Sequence, residues 1–312
     1  MAVSGGVDSI VLLDLLVGQA QLSVYEKKKI NTNGSGLATS DTINTLELIV
    51  GHFNHGIRAD SMEDEKLVRE AAKRHGLRFE VGYGELGANA SEEKARDARY
   101  DFLYSLKAQY NADGVITAHH QDDLLETTAI NILRGTGWRG LVAMQNNSVV
   151  LRPLLQLTKV EIYEYAAQNC LFWQEDSTNS SHSYLRNRVR AVFIENMTGQ
   201  QRLELLSSIK SIENLSSEIN QLIAKILQNL EVEGMINRQK YSILPVEVGR
   251  EVLVSWLRGQ GSRQIDSAVI NRVDTFLRTG RPGSRTDIGS GTFVKLDKEF
   301  GQIVNSLQNN LI

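Results

Sequence analysis

Short apolar runs and helically spaced apolar positions alternate along the first half of the chain. Short runs bounded by turn residues predict buried strands, whereas apolar residues three and four apart predict amphipathic helices. The predicted strands are residues 46–53, 77–81 and 114–118, and the predicted helices are residues 8–16, 61–75, 91–110 and 122–134. This order is typical of an α/β fold, so we expect a parallel sheet with helices on both faces.

Beyond residue 151 the spacing of apolar residues is mainly helical. The predicted helices are residues 158–168, 186–230, 246–258 and 268–278, and short β-like runs follow over residues 283–303. We therefore predict an α/β domain over residues 1–195 and a smaller, mostly helical domain with short terminal strands over residues 196–312. Residues 21–45 break the pattern with lysine, asparagine and glycine, which predicts a flexible insertion.

The composition is typical of a globular protein, with 41% hydrophobic and 23% charged residues. No apolar run is long enough for a membrane span, and the chain opens directly in a polar turn, so we expect no leader peptide and a cytoplasmic location. The one cysteine, Cys170, excludes an intrachain disulfide and a four-thiolate metal site. Its apolar neighbours predict that Cys170 packs in the interior.

Charge is distributed unevenly between the two parts of the chain. Residues 1–180 carry 17 basic and 24 acidic side chains, whereas residues 181–312 carry 17 basic and 13 acidic ones. The first part is therefore acidic by 7 (24 − 17) and the second basic by 4 (17 − 13). A basic second domain permits a nucleic-acid partner without requiring one.

The first turn has the chemistry of a phosphate site. It reads Ser4-Gly5-Gly6-Val7-Asp8-Ser9 and opens the first predicted helix. Adjacent glycines let backbone amides approach an anion, and the helix N-terminus adds its positive dipole end. No Gly-Lys-Ser/Thr follows, so this is not a Walker A loop. An acid beside a phosphate fits a Mg²⁺ ion that bridges Asp8 to a nucleotide.

Acids and histidines cluster where the third predicted strand ends. Asp123 and Glu126 are three residues apart and share a helix face, directly after His119 and His120. Such a pair of acids can hold Mg²⁺ or a substrate ammonium group, and both alternatives stay open.

A second polar cluster follows the first predicted strand. His52, His55 and Arg58 predict contacts to a base, a ribose or a phosphate. Arginines supply a further set of anion-binding groups. Arg99 lies one helical turn from Arg96, and Arg186 and Arg190 share a helix face four residues apart. Together these side chains could neutralise an α-phosphate or an RNA backbone.

As an ordered set, these motifs resemble the N-type ATP pyrophosphatases with a PP-loop, and among them the tRNA(Ile)-lysidine synthases. The matching motifs span residues 3–190: Ser4-Gly5-Gly6-Val7-Asp8-Ser9, His52-x-x-His55-Gly-Ile-Arg58, Ala98-Arg99-Tyr100, His119-His120-x-Asp122-Asp123-x-x-Glu126, Arg152-Pro153-Leu154-Leu155, Trp173-x-Glu175-Asp176-x-x-Asn179 and Arg186-Asn187-x-x-Arg190. The resemblance implies an adenine nucleotide α-hydrolase-like fold, with a tRNA-binding domain after it.

The resemblance also implies a reaction and its site residues. ATP, with Mg²⁺, would adenylate the wobble cytidine of an isoleucine tRNA with a CAU anticodon, and free L-lysine would displace AMP to leave lysidine. Residues 4–9 would bind ATP, with Asp8 near Mg²⁺. The implied catalytic residues are Arg99, Asp123, Glu126, Arg186 and Arg190, and the implied substrate-binding residues are His52, His55, Arg58 and Asn179.

Two alternatives to this reaction stay open. Another PP-loop tRNA-modifying enzyme is one, although thiolases of this class typically need several cysteines and amidotransferases need a glutaminase. A catalytically impaired tRNA-binding homologue is the other, because only Ala2 and Val3 stand where the family has its first strand. We expect a sheet without that strand to lose pairing on both sides. The sequence leaves open whether the chain acts as a monomer or a homodimer.

Overall fold

The computed structural model describes residues 1–32, 46–56, 61–84, 92–144, 149–174, 185–262, 265–289 and 291–305. The chain forms two compact units, Met1–Lys210 and Ser211–Ile312. Helix α8 (Gly199–Leu230) begins in the first unit and ends in the second. None of the described helices is both long and apolar enough to cross a lipid bilayer.

Parallel strands form the centre of the first unit. Strand β1 (Ile49–Asn54) pairs with β2 (Arg78–Tyr83), and β3 (Val115–Ile116) pairs with β4 (Val150–Leu151), both in parallel. The predicted parallel sheet is therefore confirmed. The pattern missed β4, since two residues give no periodicity to detect.

The first three residues lie between β1 and β3. The Gly51 amide donates to the Met1 carbonyl at 2.8 Å, and the Val3 amide donates to the Gly51 carbonyl at 3.0 Å. On the other side, the Ala2 amide donates to the Ile116 carbonyl at 2.8 Å. The expectation that this position loses pairing on both sides is wrong, because three residues suffice to bond both neighbours.

Helices cover both faces of this sheet. The helices of this unit before α8 are α1 (Val7–Thr32), α2 (Ser61–Arg74), α3 (Glu92–Gln109), α4 (Gln121–Leu133), α5 (Trp138–Leu141), α6 (Lys159–Gln168) and α7 (Leu185–Val189). Helix α3 packs on one face, where Leu103 and Leu106 lie against Gly51. On the other face, Val50 is buried with apolar residues of α1, α2 and α6.

Two sequence expectations need correction in this unit. Helix α1 continues to Thr32, so the flexible insertion predicted over residues 21–45 is wrong for residues 21–32, and residues 33–45 lie outside the described residues. Cys170 is exposed rather than packed. It adopts a positive φ of 51° just after α6, and the chain turns there before Leu171 packs on the core.

The second unit combines helices with an antiparallel sheet. Its helices are α9 (Arg238–Ser242), α10 (Val246–Gly259) and α11 (Ser267–Thr279), together with the end of α8. Its strands are β5 (Glu231–Val232), β6 (Met235–Asn237), β7 (Arg285–Gly289), β8 (Thr292–Leu296) and β9 (Phe300–Asn305), in the spatial order β5-β6-β9-β8-β7.

The predicted helices and terminal strands of this unit are confirmed, and their apolar faces enclose one core. Trp256, Leu253, Leu257 and Leu277 are its largest fully buried side chains along the α10–α11 pair. The pattern missed the hairpin of β5 and β6. Its turn, Glu233-Gly234, has positive φ at both residues, as a two-residue hairpin requires. The hairpin was missed because β5 begins at the residue directly after the long helix α8.

Candidate functional site

The first turn is held by one serine. The Ser9 hydroxyl accepts hydrogen bonds from the amides of Ser4 and Gly5, both at 3.2 Å, and donates to the Gly6 carbonyl at 2.9 Å. Gly5 has a φ of +98°, a conformation that side chains with a Cβ rarely adopt. The turn leads from the centre of the sheet into α1, whose first-turn amides and dipole favour an anion at this point.

Asp8, in the first turn of α1, is paired with a lysine that sequence reasoning missed. The Lys159 ammonium lies 2.7 and 2.8 Å from the two carboxylate oxygens of Asp8. Lys159 is the first residue of α6, where Thr158 and Glu161 bond reciprocally to form a capping box. No signal in the sequence joins two residues 151 positions apart.

His120 connects Asp8 to the acids of α4. Its Nε2 lies 3.8 Å from Asp8 Oδ1 and 3.5 Å from Asp123 Oδ2. Its Nδ1 accepts the Asp122 amide at 3.2 Å, so the proton of the neutral ring resides on Nε2, between the two carboxylates. The histidine is buried and also caps α4, which fixes its orientation.

Glu126 has no solvent exposure and is held by arginines. Arg190 Nε donates to its Oε1 at 2.5 Å, and Arg186 Nε lies 3.7 Å from its Oε2. Arg190 begins a π-helical turn (Arg190–Ile194) after α7, a feature that often accompanies functional sites. The predicted co-facial arginines therefore meet the predicted acid at one place.

Asp123 and Glu126 of α4 have pKa values shifted in opposite directions. Burial raises the pKa of Glu126, and the hydrogen bond from Arg190 only partly offsets it. Burial would also raise the pKa of Asp123, but the electrostatic attraction of the His120 ring, the hydrogen bond from the His120 amide and the charge of Arg186 hold it below its ordinary value. Acids whose environments separate their pKa values in this way have different roles.

Three arginines act electrostatically on His119. Burial, together with the positive charges of Arg152, Arg96 and Arg99, lowers the pKa of His119 to about 3, so the imidazole is neutral at pH 7. Its Nδ1 is 2.9 Å from the Thr117 hydroxyl. The charge of the predicted residue Arg99 therefore acts within the site. The buried Arg152, to which the sequence assigned no role, acts on the same histidine.

His52 in β1 and His55 just after it make contacts within the fold. His52 Nδ1 donates to the Val3 carbonyl at 2.9 Å, which ties β1 to the residue before the turn. The ring of His55, just after β1, packs edge-on against Phe53, with their centroids 4.9 Å apart. Arg58 and Asn179 lie outside the described residues.

The described residues contain no group of three or more histidine, cysteine or acidic side chains arranged to hold a metal ion. Mg²⁺ at nucleotide sites is commonly held by one or two carboxylates together with the phosphates of the substrate. Asp8 fits that requirement, since its carboxylate is 27% exposed and lies on the turn.

Residues 1–197 match the family model described as the PP-loop domain. The chain belongs to the PP-loop family. The turn at residues 4–9, which we call the PP-loop, lies at the carboxyl ends of the parallel strands together with the charged residues from Lys159 to Arg190. Ligands of open parallel sheets bind in this position.

Curated relatives of this PP-loop protein extend over most of the chain. It is 29% identical to the tRNA(Ile)-lysidine synthase of Chlorobaculum tepidum, over 96% of this chain and 88% of the relative. It is 27% identical to that of Solibacter usitatus, over 91% of this chain and 68% of the relative. It is 26% identical to the bifunctional protein TilS/HprT of Listeria monocytogenes, over 97% of this chain, but it spans only 47% of that relative.

A solved structure has the same fold. The U34-tRNA thiolase NcsA from Methanococcus maripaludis, with its [4Fe-4S] cluster, matches with a TM-score of 0.50 and 18% identity, over 69% of this chain and 71% of that one. At this identity the likeness concerns the fold alone. Iron–sulfur clusters are held mainly by cysteine thiolates, and the present sequence contains one cysteine.

Proposed function

We propose that this PP-loop protein is a tRNA(Ile)-lysidine synthase. ATP adenylates O2 of the wobble cytidine in the isoleucine tRNA with a CAU anticodon, which releases pyrophosphate. The amine of L-lysine then displaces AMP and forms lysidine. The observation that carries this proposal is the pair of charged clusters beside the PP-loop, in a chain with relatives of that name. His120 joins Asp8 to Asp123, and Glu126 pairs with Arg186 and Arg190, with the charge of Arg186 also acting on Asp123.

The PP-loop provides the ATP end of the site. Its amides and the α1 dipole stabilise the phosphates, and Gly5 supplies the positive φ with which the loop turns into α1. The side chain of Val7 is buried in the core, so this residue contributes through its backbone. Asp8 would hold Mg²⁺, which supplies charge neutralisation on the phosphates when bound.

Arg186 and Arg190 stabilise the charge that develops on the α-phosphate. Both guanidinium groups are about one third exposed, with 30% and 32% of the side-chain surface accessible, so they present charge to a ligand. Glu126 contacts no solvent, and its role in this proposal is to position the two arginines. Preorganised charges of this kind require no rearrangement during the reaction.

Asp123 is the acid suited to the lysine substrate. Its lowered pKa keeps it ionised, and its side chain is 18% exposed, so it can attract an ammonium group. Arg99 lies near enough to the neutral His119 for its charge to act on that ring, and both would contact the cytidine or its phosphate. Holding ATP, cytidine and lysine together would supply much of the acceleration.

The second domain, residues 196–312 as the sequence predicts it, binds tRNA in this proposal. On the face of its sheet opposite the buried Val294 and Leu296, Arg285 stands directly across from Lys295. The Arg285 guanidinium also lies 4.6 Å from the centroid of the Phe293 ring. Like charges across a strand pair repel, so a phosphate backbone is a favourable partner for them.

Because tRNA and lysine are cytoplasmic substrates, we propose a cytoplasmic location.

Exchange between pyrophosphate and ATP tests the adenylation step. We expect labelled pyrophosphate to enter ATP when the CAU tRNA is present and lysine is absent. A transcript with uridine at the wobble position is the matched control and should support no exchange. Binding of the CAU tRNA without any exchange would contradict the proposal and favour the catalytically impaired homologue.

A further inference from the structure

The Lys159 ammonium, at the start of α6, lies beside Asp8 in the first turn of α1. It touches both oxygens of Asp8 at 2.7 and 2.8 Å, and it lies 5.1 Å from the centroid of the Tyr163 ring. Its side chain is 32% exposed, so it faces the opening of the site rather than the core. An ammonium group in this position is a positive point charge beside the loop that receives phosphates.

Helix α6 holds Lys159 there by several independent contacts. Thr158 and Glu161 fix the first turn through two reciprocal bonds, from the Thr158 amide at 2.8 Å and from the Glu161 amide at 3.3 Å. One turn further, the Tyr165 hydroxyl donates to Asp14 of α1 at 2.8 Å. Ile162 and Ala166 are buried in the core shared with α1. Lys159 is therefore fixed at its base and mobile only at its tip.

The pairing with Asp8 conflicts with the role that Asp8 has in the proposed function. A Mg²⁺ ion at Asp8 would compete with the Lys159 ammonium for the carboxylate oxygens and would repel it. With Mg²⁺ and ATP at the loop, the phosphates would be the anionic groups that draw the lysine tip away from Asp8. Lysine is a common phosphate ligand for this reason.

We propose that Lys159 is a phosphate-binding residue of this site. It neutralises Asp8 when the loop has no nucleotide, and it bonds the β- and γ-phosphates, the future pyrophosphate, when ATP is bound. This inference rests on the proposed function as far as ATP is the ligand of the loop. Lys159 thereby joins the phosphate-binding residues, although it lies in none of the sequence motifs.

Binding of nucleotides without tRNA or lysine tests this role. Titration calorimetry would compare AMPPNP, which carries three phosphates, with AMP, which carries one. We expect Lys159→Met to weaken AMPPNP binding by about tenfold or more, the effect of losing a charged hydrogen bond, and to leave AMP binding unchanged. Lys159→Arg should restore part of the affinity. Lys73→Met, at the exposed end of α2, is the matched control.

A double variant separates phosphate binding from mere neutralisation of Asp8. The titrations are repeated in EDTA, so that Mg²⁺ at Asp8 plays no part. If Lys159 bonds the phosphates, Asp8→Asn combined with Lys159→Met stays as weak for AMPPNP as Lys159→Met alone. Recovery of wild-type affinity in the double variant would overturn the proposal, as would equal losses for AMPPNP and AMP, or no loss at all.

The outcome for Lys159 is distinguishable from the outcome for the proposed function. Wild-type protein that binds AMPPNP through Lys159 but transfers no lysine to tRNA would refute the function and leave the Lys159 role intact. Wild-type protein that transfers lysine while Lys159→Met binds AMPPNP normally would refute the Lys159 role alone. Wild-type protein that binds no nucleotide would refute both.

Discussion

Glu126 is fully buried, and the two arginines that hold it are each about one third exposed. Removing one partner of a buried pair leaves an uncompensated charge, which costs about 3–5 kcal/mol when both partners are buried. Because these arginines reach water, we expect Glu126→Ala to lower the free energy of unfolding of the first unit by about 3 kcal/mol. Urea unfolding measures this change in the free energy of unfolding, with the two units fitted as separate transitions.

Glu247→Ala is the matched control for Glu126→Ala. Glu247 also pairs with an arginine, Arg250 at 3.0 Å, but its side chain is 84% exposed. Surface pairs contribute less than about 1 kcal/mol, so this variant should unfold almost as the wild type does. Equal losses in the two variants would contradict the assignment of Glu126 as the buried support of the arginines.

Asp123 gives the first unit a dependence on pH. Its pKa is lower in the folded protein than in the unfolded chain, so its ionised form stabilises the fold above the ordinary carboxyl value of about 4. This stability is lost as the pH falls through the lowered value. Asp123→Asn should therefore be less stable than the wild type at pH 7, and the difference should narrow below about pH 4. A difference that widens on acidification would refute the assignment.

At the scale of elements, the capping box of α6 should serve both stability and ligand binding. Thr158→Ala removes a helix cap, which costs about 1 kcal/mol, and also loosens the turn that carries Lys159. Thr198 and Gln201 make the same reciprocal bonds at the start of α8, with the Thr198 amide 2.9 Å and the Gln201 amide 3.2 Å from their acceptors. Thr198→Ala should lose as much stability.

ATP affinity should distinguish the two capping variants. Thr158→Ala should bind AMPPNP several-fold more weakly than the wild type, whereas Thr198→Ala should bind it normally. Thermal unfolding and calorimetric titration of the same samples provide both measurements. A loss of affinity in both variants, or in neither, would mean that the start of α6 does not position the site.

The sequence predicted helices well where the hydrophobic pattern extends over many residues. Helices α2, α4, α10 and α11 fall within a few residues of their predicted bounds, because an apolar stripe and end signals coincide there. Strands of two or three residues are too short to show a hydrophobic period.

The predicted acids and arginines do meet, since strand ends and helix starts share one edge of the sheet. Lys159 could not be found, because its pairing with Asp8 depends on how α1 and α6 pack.

At the scale of the whole molecule, the second unit should carry part of the tRNA affinity through charge. Arg285→Gln combined with Lys295→Gln should weaken tRNA binding and reduce the slope of log affinity against log salt by about one for each phosphate that is no longer neutralised. Lys225→Gln, on the exposed side of α8, removes a charge elsewhere in this unit. Filter binding across a series of salt concentrations measures these slopes. Identical slopes for the wild type and both variants would place the tRNA-binding surface elsewhere.

In the proposed reaction, one site joins ATP, a wobble cytidine and lysine. The direct test is transfer of isotopically labelled L-lysine to tRNA, with ATP, Mg²⁺ and the CAU isoleucine tRNA present. We predict one lysine for each tRNA, release of AMP in equal amount, and no transfer to the transcript with uridine at the wobble position. Labelled lysine that stays free while the protein binds both ATP and this tRNA would contradict the account.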